Sequence, residues 1–152
     1  SPKSNFDLKL VNLKREKPQY KNLKYKKILR HLIKMDNSKS DIGLVYNKMI
    51  LETGTSNLLF IKNNKIYTPT KGYYEGNTFK FVKSKIKKVI KKDIFIKNLK
   101  NYDEILLVGS GKGIASIKTI KQIGWKRKNL RKFKVLSKYY KSITKKCRPH
   151  RF

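Results

Sequence analysis

The sequence is poor in the residues that build disulfides and metal sites. It contains one cysteine, Cys147, and two histidines, His31 and His150. A single cysteine excludes an internal disulfide and a cysteine-rich metal site, and the two histidines lie far apart in the sequence. We therefore expect no metal, and we expect a reducing, cytoplasmic location.

Long apolar runs and a secretory leader are also missing. No stretch approaches the roughly 20 residues that a membrane-spanning helix requires, and no signal-peptide pattern opens the chain. We expect no membrane partner. The sequence begins Ser1-Pro2 without an initiator methionine, so we expect it to be a fragment.

Acidic residues and arginine are scarce beside lysine. Nine acidic residues accompany 40 basic ones, which gives a net charge of +31, and because six of the basic residues are Arg, the other 34 are Lys. Proteins that bind nucleic-acid phosphates favour Arg and concentrate their charge on one surface. Lysine that is spread over the whole chain instead favours a general compositional bias of the genome. The basic tail at 145–152 keeps a basic RNA-binding or ribosome-associated protein as an alternative.

What the sequence does contain is enough apolar residues, in periodic blocks, for one packed domain of α+β type. It has 152 residues, of which 38% are hydrophobic and 11% aromatic. The patterns predict strands at 7–16, 42–46, 49–51, 58–61, 65–67, 93–96, 104–108 and 114–120. They predict helices at 21–35, 79–90 and 129–143, a helical turn at 99–102, and a polar loop at 36–41. Tight turns are predicted at Asn47-Lys48 and Asn63-Asn64.

Two local features suggest a site. Glu52 ends an apolar run and is followed by Thr53-Gly54-Thr55-Ser56-Asn57, so this acid is either paired with one of many lysines or part of a site. Gly109-Ser110-Gly111-Lys112-Gly113 follows a predicted strand and can bring backbone N–H groups close to an anion. It lacks the spacing of an ATP-binding or dinucleotide-binding loop, which makes those ligands a poor match.

Six short segments follow one another in a fixed order, at 20–25, 51–60, 62–69, 75–78, 102–105 and 108–114. Their order and spacing resemble the successive signatures of the class IV aminotransferases, the fold-type IV pyridoxal-phosphate enzymes. The resemblance runs from about residue 8 to residue 140. It implies a D-amino acid aminotransferase-like fold, with a mixed sheet or partial barrel and flanking helices.

The resemblance also implies a domain organisation. Residues 1–144 would be the C-terminal, cofactor-binding domain, and residues 145–152 would be the basic tail. Family members carry a further N-terminal domain, which supplies a phosphate-binding arginine and part of the substrate pocket. We expect that domain to be absent from this sequence and the family's usual homodimer to form.

The resemblance assigns pyridoxal 5'-phosphate as cofactor and gives three side chains a role around it. Lys21 would carry the Schiff base to the cofactor and then shuttle protons at the reacting carbon. Glu52 would keep the pyridine nitrogen protonated, so that the ring acts as an electron sink. Tyr74 would pack near the ring.

Five further residues would bind anionic groups. The N–H groups of Asn77 and Thr78, at a helix start, would hold the cofactor phosphate. Ser110 would add its hydroxyl to the same phosphate. The backbone of Gly111 and Lys112 would meet the carboxylate of an amino substrate.

Within the family, the Thr-Ser-Asn run after Glu52 and the compact ending through Trp125 are closer to aminodeoxychorismate lyase than to the branched-chain enzymes. The implied reaction is elimination of pyruvate from 4-amino-4-deoxychorismate, which gives 4-aminobenzoate for folate synthesis. Branched-chain and D-amino acid aminotransferases, which use the same Lys21 and Glu52, stay as alternatives. Lys24 and Phe79 stand where the family usually has Asn and Arg, so the substrate stays open.

Overall fold

The computed structural model describes residues 2–12, 26, 29–70 and 73–146. Nine strands are described: β1 Phe6–Asn12, β2 Ser40–Tyr46, β3 Met49–Thr53, β4 Asn57–Lys62, β5 Lys65–Thr68, β6 Val89–Lys91, β7 Glu104–Gly109, β8 Gly113–Ile120 and β9 Trp125–Lys126. Residue 26 is helical, and residues 29–33 form the described helix α1. The longer helices are α2 Asn77–Lys85 and α3 Arg131–Lys146, and short 3₁₀ helices occupy Pro2–Ser4, Ile96–Asn101 and Lys121–Ile123.

The strands form one mixed sheet that curls into a half-barrel. The strand order is β3-β2-β1-β8-β7-β4-β5-β6, and β9 pairs with β8. β1 runs parallel to both of its neighbours, whereas β4, β7 and β8 form an antiparallel centre. The predicted α+β fold with a mixed sheet and flanking helices is therefore confirmed.

Both faces of the central strands are buried. On β4 and β7, Leu58 and Leu107 belong to one apolar cluster, and Leu59 and Leu106 belong to another. The second cluster also contains Phe79 of α2 together with residues of α3, so these helices cover that face. Strands buried on both faces read as continuous apolar runs, which is why 58–61 and 104–108 could be recognised from the sequence.

Asparagine determines both short hairpin turns. Asn47, Lys48, Asn63 and Asn64 all have φ between 49° and 65°. Positive φ at both central residues matches the right-handed twist of paired strands, and Asn tolerates it better than most residues. Both predicted turns are confirmed.

Several predicted boundaries are wrong. The helix predicted at 79–90 ends at Lys85, and residues Val89–Lys91 form β6 beside β5. The strand predicted at 93–96 is reduced to a single bridge between Phe95 and Met49. The loop predicted at 36–41 ends earlier, because β2 begins at Ser40. The last helix begins at Arg131 and continues to Lys146, so the first two residues of the predicted tail are helical.

Candidate functional site

A polar cleft of about 240 Å³ opens where three segments of the half-barrel meet. The segments are the connection between β3 and β4, the start of α2, and the end of β7. The lining residues are Glu52, Thr53, Gly54, Thr55, Ser56, Asn57, Tyr74, Gly76, Asn77, Thr78, Phe79, Val108, Gly109 and Ser110. Polar and glycine residues dominate this list, so the cleft offers hydrogen-bonding groups.

The first wall of the cleft is the N-terminus of α2. Its N-cap residue is Gly76, and no side chain within the described residues caps the helix. The first N–H groups of an α-helix have no partner inside the helix, and the helix dipole makes this end partially positive. This wall therefore suits an anion, and Asn77 and Thr78 lie at it.

The loop that leads into α2 is held by Asn57. Its side-chain amide donates to the carbonyl oxygen of Tyr74 (2.7 Å), and its amide oxygen accepts from the N–H of Gly76 (3.1 Å). Asn57 is buried at the start of β4. Because both bonds come from one rigid side chain, the start of α2 has a fixed position relative to the sheet.

Glu52 provides the negative charge of the cleft. It is the single charged residue among the described residues that line the cleft. Its Oε2 accepts from the backbone N–H of Tyr74 at 3.2 Å. The β2–β3 register shifts beside it, since Leu44 lies opposite Glu52 but Val45 lies opposite Ile50. Such bulges commonly redirect a side chain next to a site.

The end of β7 forms the third wall. A Cβ added to Gly109 would lie 2.5 Å from Ser56 Oγ and 3.0 Å from the carbonyl oxygen of Thr55. Only glycine allows this approach, so the β7 end and the β3–β4 connection are in direct contact. Ser110 follows, exposed at the edge of the cleft.

Of the eight predicted site residues, seven lie in the part of the chain that the structure describes, and five of these seven come together. Glu52, Tyr74, Asn77, Thr78 and Ser110 line the one cleft. Gly111 and Lys112 follow Ser110 in the turn but do not line the cleft, and a Cβ on Gly111 would meet no atom within 4 Å. Lys21 lies outside the described residues. The Tyr74 side chain is 71% exposed, as an open edge of the cleft requires.

One carboxylate beside the cleft was missed by sequence reasoning. Asp41 has no exposed surface, and its Oδ2 accepts hydrogen bonds from Thr53 Oγ1 at 2.7 Å and Thr55 Oγ1 at 2.6 Å. Lys112 Nζ lies 3.2 Å from the same oxygen. In the sequence, Asp41 is the last residue of the polar run 36–41. That run predicts a loop, so the pattern did not indicate that Asp41 lies on a strand.

In the ranges that the structure describes, His, Cys, Asp and Glu side chains form no group of three or more that could hold a metal ion. No helix among those same residues combines the length and apolarity that a membrane span needs.

Solved structures share this half-barrel. A branched-chain aminotransferase from Thermoproteus uzoniensis matches with a TM-score of 0.74 at 17% identity, over 93% of this chain and 52% of its own. A Legionella pneumophila protein, provisionally assigned as a 4-amino-4-deoxychorismate lyase, matches with 0.74 at 21% identity, over 92% and 56%. An aminotransferase from Brucella abortus bound to the cofactor PLP matches with 0.68 at 15% identity, over 90% and 54%. The fold is that of about half of a fold-type IV enzyme chain.

The sequence itself identifies the family. The family model described as amino-transferase class IV matches residues 3–120. The chain therefore belongs to the class IV aminotransferases, a family of pyridoxal-phosphate-dependent enzymes that act on amino substrates. It spans about half the length of the solved structures it matches. No curated protein matches it.

Proposed function

We propose that this chain is the cofactor-binding half of a pyridoxal-phosphate-dependent enzyme and that the cleft holds the cofactor. One observation carries the proposal: the uncapped start of α2 and the carboxylate of Glu52 line the same cleft. Pyridoxal phosphate carries an anionic phosphate at one end and a basic ring nitrogen at the other. A cleft with N–H donors on one wall and a carboxylate on another matches both groups.

Each residue then has a defined task. The N–H groups of Asn77 and Thr78 and the hydroxyl of Ser110 bind the phosphate. The carboxylate of Glu52 holds a proton on the ring nitrogen, which lets the bound cofactor withdraw electrons from an amino substrate. Tyr74 covers the ring from the open edge. The backbone N–H groups of Gly111 and Lys112 receive the substrate carboxylate.

Lys21 is proposed as the covalent attachment point and proton carrier of the site. In the family sequence signature, this position holds the lysine that binds the cofactor. A lysine amine in such a position takes a proton from the substrate carbon and returns it elsewhere. Among 34 lysines, its position in the segment order is what distinguishes it.

The reaction proposed first is 4-amino-4-deoxychorismate lyase, with release of pyruvate and 4-aminobenzoate. Its support is the resemblance of the run Thr55-Ser56-Asn57, and of the segment around Trp125, to that enzyme. Transamination of branched-chain or D-amino acids is the alternative, and it uses the same cleft. Asn57 fixes the α2 loop and the Trp125 indole N–H donates to the carbonyl oxygen of Tyr102, so both residues also have structural tasks. Release of pyruvate from the lyase substrate without an added keto acid separates the two reactions.

Borohydride trapping tests the role of Lys21. The complete polypeptide, with any preceding domain, is incubated with pyridoxal phosphate, reduced with borohydride and digested for mass spectrometry. We expect the stable label on Lys21 in the wild type and its loss in Lys21→Ala, while Lys24→Ala, the matched control, keeps it. Equal labelling of wild type and Lys21→Ala would remove Lys21 from the site.

Glu52→Gln tests the role of the carboxylate. A glutamine oxygen can still accept from the Tyr74 N–H, so we expect the loop and cofactor binding to persist. Turnover should fall by about 100-fold or more, because the amide holds no proton on the ring nitrogen. Glu75→Gln is the control, since Glu75 pairs with Lys83 and does not line the cleft. Near-normal turnover in Glu52→Gln would contradict the proposed role.

A further inference from the structure

Asp41 is a buried carboxylate that joins separate parts of the chain. It lies on β2, and its Oδ1 accepts from the N–H of Ile42 (2.8 Å). Its Oδ2 accepts from the hydroxyls of Thr53, the last residue of β3, and Thr55, in the β3–β4 connection, and from the ammonium of Lys112. A buried carboxylate without such partners would be strongly unfavourable, so the four donors explain how the charge is accommodated.

The direction of the hydroxyl protons follows from their number. Thr53 Oγ1 lies 2.7 Å from Asp41 Oδ2 and 3.1 Å from the Ser56 carbonyl oxygen, and its single proton favours the shorter, charge-assisted bond. Thr55 gives its proton to Asp41 as well. The 3.2 Å contact between Thr55 and Ser56 hydroxyls is then donated by Ser56. The hydroxyl protons of Thr53 and Thr55 therefore point to Asp41, and the hydroxyl proton of Ser56 points to Thr55.

Lys112 is held by three groups. Its Nζ lies 2.6 Å from Thr55 Oγ1, 3.2 Å from Asp41 Oδ2, and 5.3 Å from the centre of the Phe6 ring. Only 13% of its side chain is exposed, whereas most lysines in the described part of the chain are exposed. The side chain of Lys112 is thus committed to the interior, although its backbone lies in the turn after Ser110.

Both segments tied by this pair line the cleft. Thr53 at the end of β3 and Thr55 in the β3–β4 connection line it on one side, and Ser110 in the β7–β8 turn lines it on another. The connection is also fixed internally, because the N–H of Ser56 donates to Thr53 Oγ1 at 2.8 Å. A change at the Asp41–Lys112 pair is therefore transmitted to two walls of the site.

We propose that Asp41 and Lys112 are positioning residues, whose ion pair holds the β3–β4 connection and the β7–β8 turn in the one arrangement that forms the cleft. What the cleft binds rests on the proposed function, whereas the geometric proposal concerns the chain alone. Lys112 acts through its side chain from behind the cleft, in addition to the backbone contact proposed above.

Amide hydrogen exchange on this chain tests the pair directly. Lys112→Met removes the ammonium and keeps most of the side-chain length. Lys118→Met is the matched control, because Lys118 is on the neighbouring strand β8 and its side chain is exposed. We expect exchange at 53–57 and 109–113 to accelerate at least about tenfold in Lys112→Met, as the loss of a charge-assisted bond predicts. Lys118→Met should leave it unchanged.

A double variant separates positioning from general stability. Asp41→Asn alone leaves the Lys112 ammonium unpaired, whereas Asp41→Asn with Lys112→Met leaves no unpaired buried charge. We expect the double variant to regain most of the urea resistance lost by Asp41→Asn, while exchange at 53–57 and 109–113 stays fast. If Asp41→Asn does not fold, the Lys112→Met comparison decides alone.

Pyridoxal phosphate affinity provides the second measurement. We expect Lys112→Met to weaken binding several-fold, with Lys118→Met like the wild type. Equal exchange rates in the two methionine variants, or acceleration spread evenly over the whole chain, would overturn the positioning role. Failure of the wild type to bind pyridoxal phosphate would instead overturn the proposed function, and the exchange comparison would still decide the role of the pair.

Discussion

At the scale of single residues, the two acids near the cleft differ in how visible they are in the sequence. Glu52 stands out because an apolar run precedes it and a turn-like run follows it. Asp41 does not, because its partners Thr53, Thr55 and Lys112 lie 12, 14 and 71 residues further along the chain. The sequence can show that an acid is unusual, but only the folded sheet shows which distant groups surround it.

Gly109 and Gly111 are a matched pair for testing the contact between two cleft walls. Gly109→Ala would place its Cβ 2.5 Å from Ser56 Oγ, so we expect a loss of about 1–3 kcal/mol in unfolding free energy from overpacking. Gly111→Ala meets no atom within 4 Å and should change stability by less than about 0.5 kcal/mol. Urea unfolding measures both. Similar losses in the two variants would show that the wall contact is not tight.

Ionisation of Tyr102 should lower the stability of the protein in alkaline solution. Burial, and to a lesser degree Tyr67, raises the pKa of Tyr102 above its ordinary value. The unfolded chain therefore ionises first, so this contribution is complete below about pH 10 and is lost as the pH rises through the folded pKa. Urea midpoints measured from pH 8 upward should fall less steeply in Tyr102→Phe than in the wild type. Tyr74→Phe, at an exposed tyrosine, should follow the wild type.

At the scale of elements, α3 is fixed at its start by a strand residue. Glu104 of β7 is buried and accepts from the N–H groups of Lys132 (2.9 Å) and Phe133 (3.0 Å). Helix caps are ordinarily adjacent in sequence, whereas this one comes from 28 residues earlier. A carboxylate at a helix start also complements the helix dipole, and no acidic residue occupies the first turn of α3 itself.

Replacement of this carboxylate should loosen α3. In Glu104→Gln, one of the two accepting oxygens becomes an NH₂ group that faces an N–H donor. We expect a loss of about 1–3 kcal/mol in unfolding free energy, with faster exchange in the first turn of α3. Asp93→Asn removes the same charge from an exposed position and should change stability by less than about 0.5 kcal/mol. Equal effects in the two variants would assign the loss to net charge instead of capping.

The strands, helices and turns differ in how well the sequence predicted them. Both Asn turns and the continuous apolar strands β4 and β7 follow from local chemistry, since φ preference and two-sided burial leave direct marks in the sequence. The segment 86–91 does not. Its apolar residues continue the helical spacing of α2, but pairing with β5 makes Val89–Lys91 a strand. Short apolar runs fit either period, and tertiary pairing decides between them.

At the scale of the whole molecule, positive charge is spread over the fold. Exposed lysines occur on β1, β5, β6, β8 and α3, including Lys9, Lys65, Lys91, Lys118 and Lys138. The RNA-binding alternative predicted one dense basic face. Charge on elements from β1 and β8 to β5 and β6 and on α3 agrees better with a general compositional bias, and it makes self-repulsion a general property of the chain.

Salt should therefore stabilise the protein. Raising NaCl shortens the Debye length from about 10 Å at 0.1 M to about 3 Å at 1 M, which screens repulsion among the charges that sum to +31. We expect the thermal midpoint at pH 7 to rise over this range. A midpoint that stays unchanged or falls over this range would contradict self-repulsion among these charges.

The overall arrangement could be predicted further than the details of the site. The order of six segments indicated the family and fold, both of which are confirmed. It also named five residues that the fold collects in one cleft. Segment order carries this information because three of the segments, 51–60, 75–78 and 108–114, each contain an end of a strand or helix that lines the cleft. The supporting contacts of Asp41, Asn57 and Glu104 could not be predicted in this way, because their partners depend on long-range pairing.

The position of β1 in the sheet affects how this chain can fold while it is being synthesised. Of the nine described strands, β1 is synthesised first, yet it lies between β2 and β8, and the Asp7 carboxylate accepts a hydrogen bond from Thr119, 112 residues later. The carbonyl oxygen of Ser4 likewise accepts a hydrogen bond from Arg127, which is synthesised much later. During translation, the side of β1 that β8 covers thus stays open while most of the chain emerges, and an open strand edge invites wrong pairing. Chaperones that shield apolar strands of nascent chains would therefore have to stay bound to β1 for the longest time.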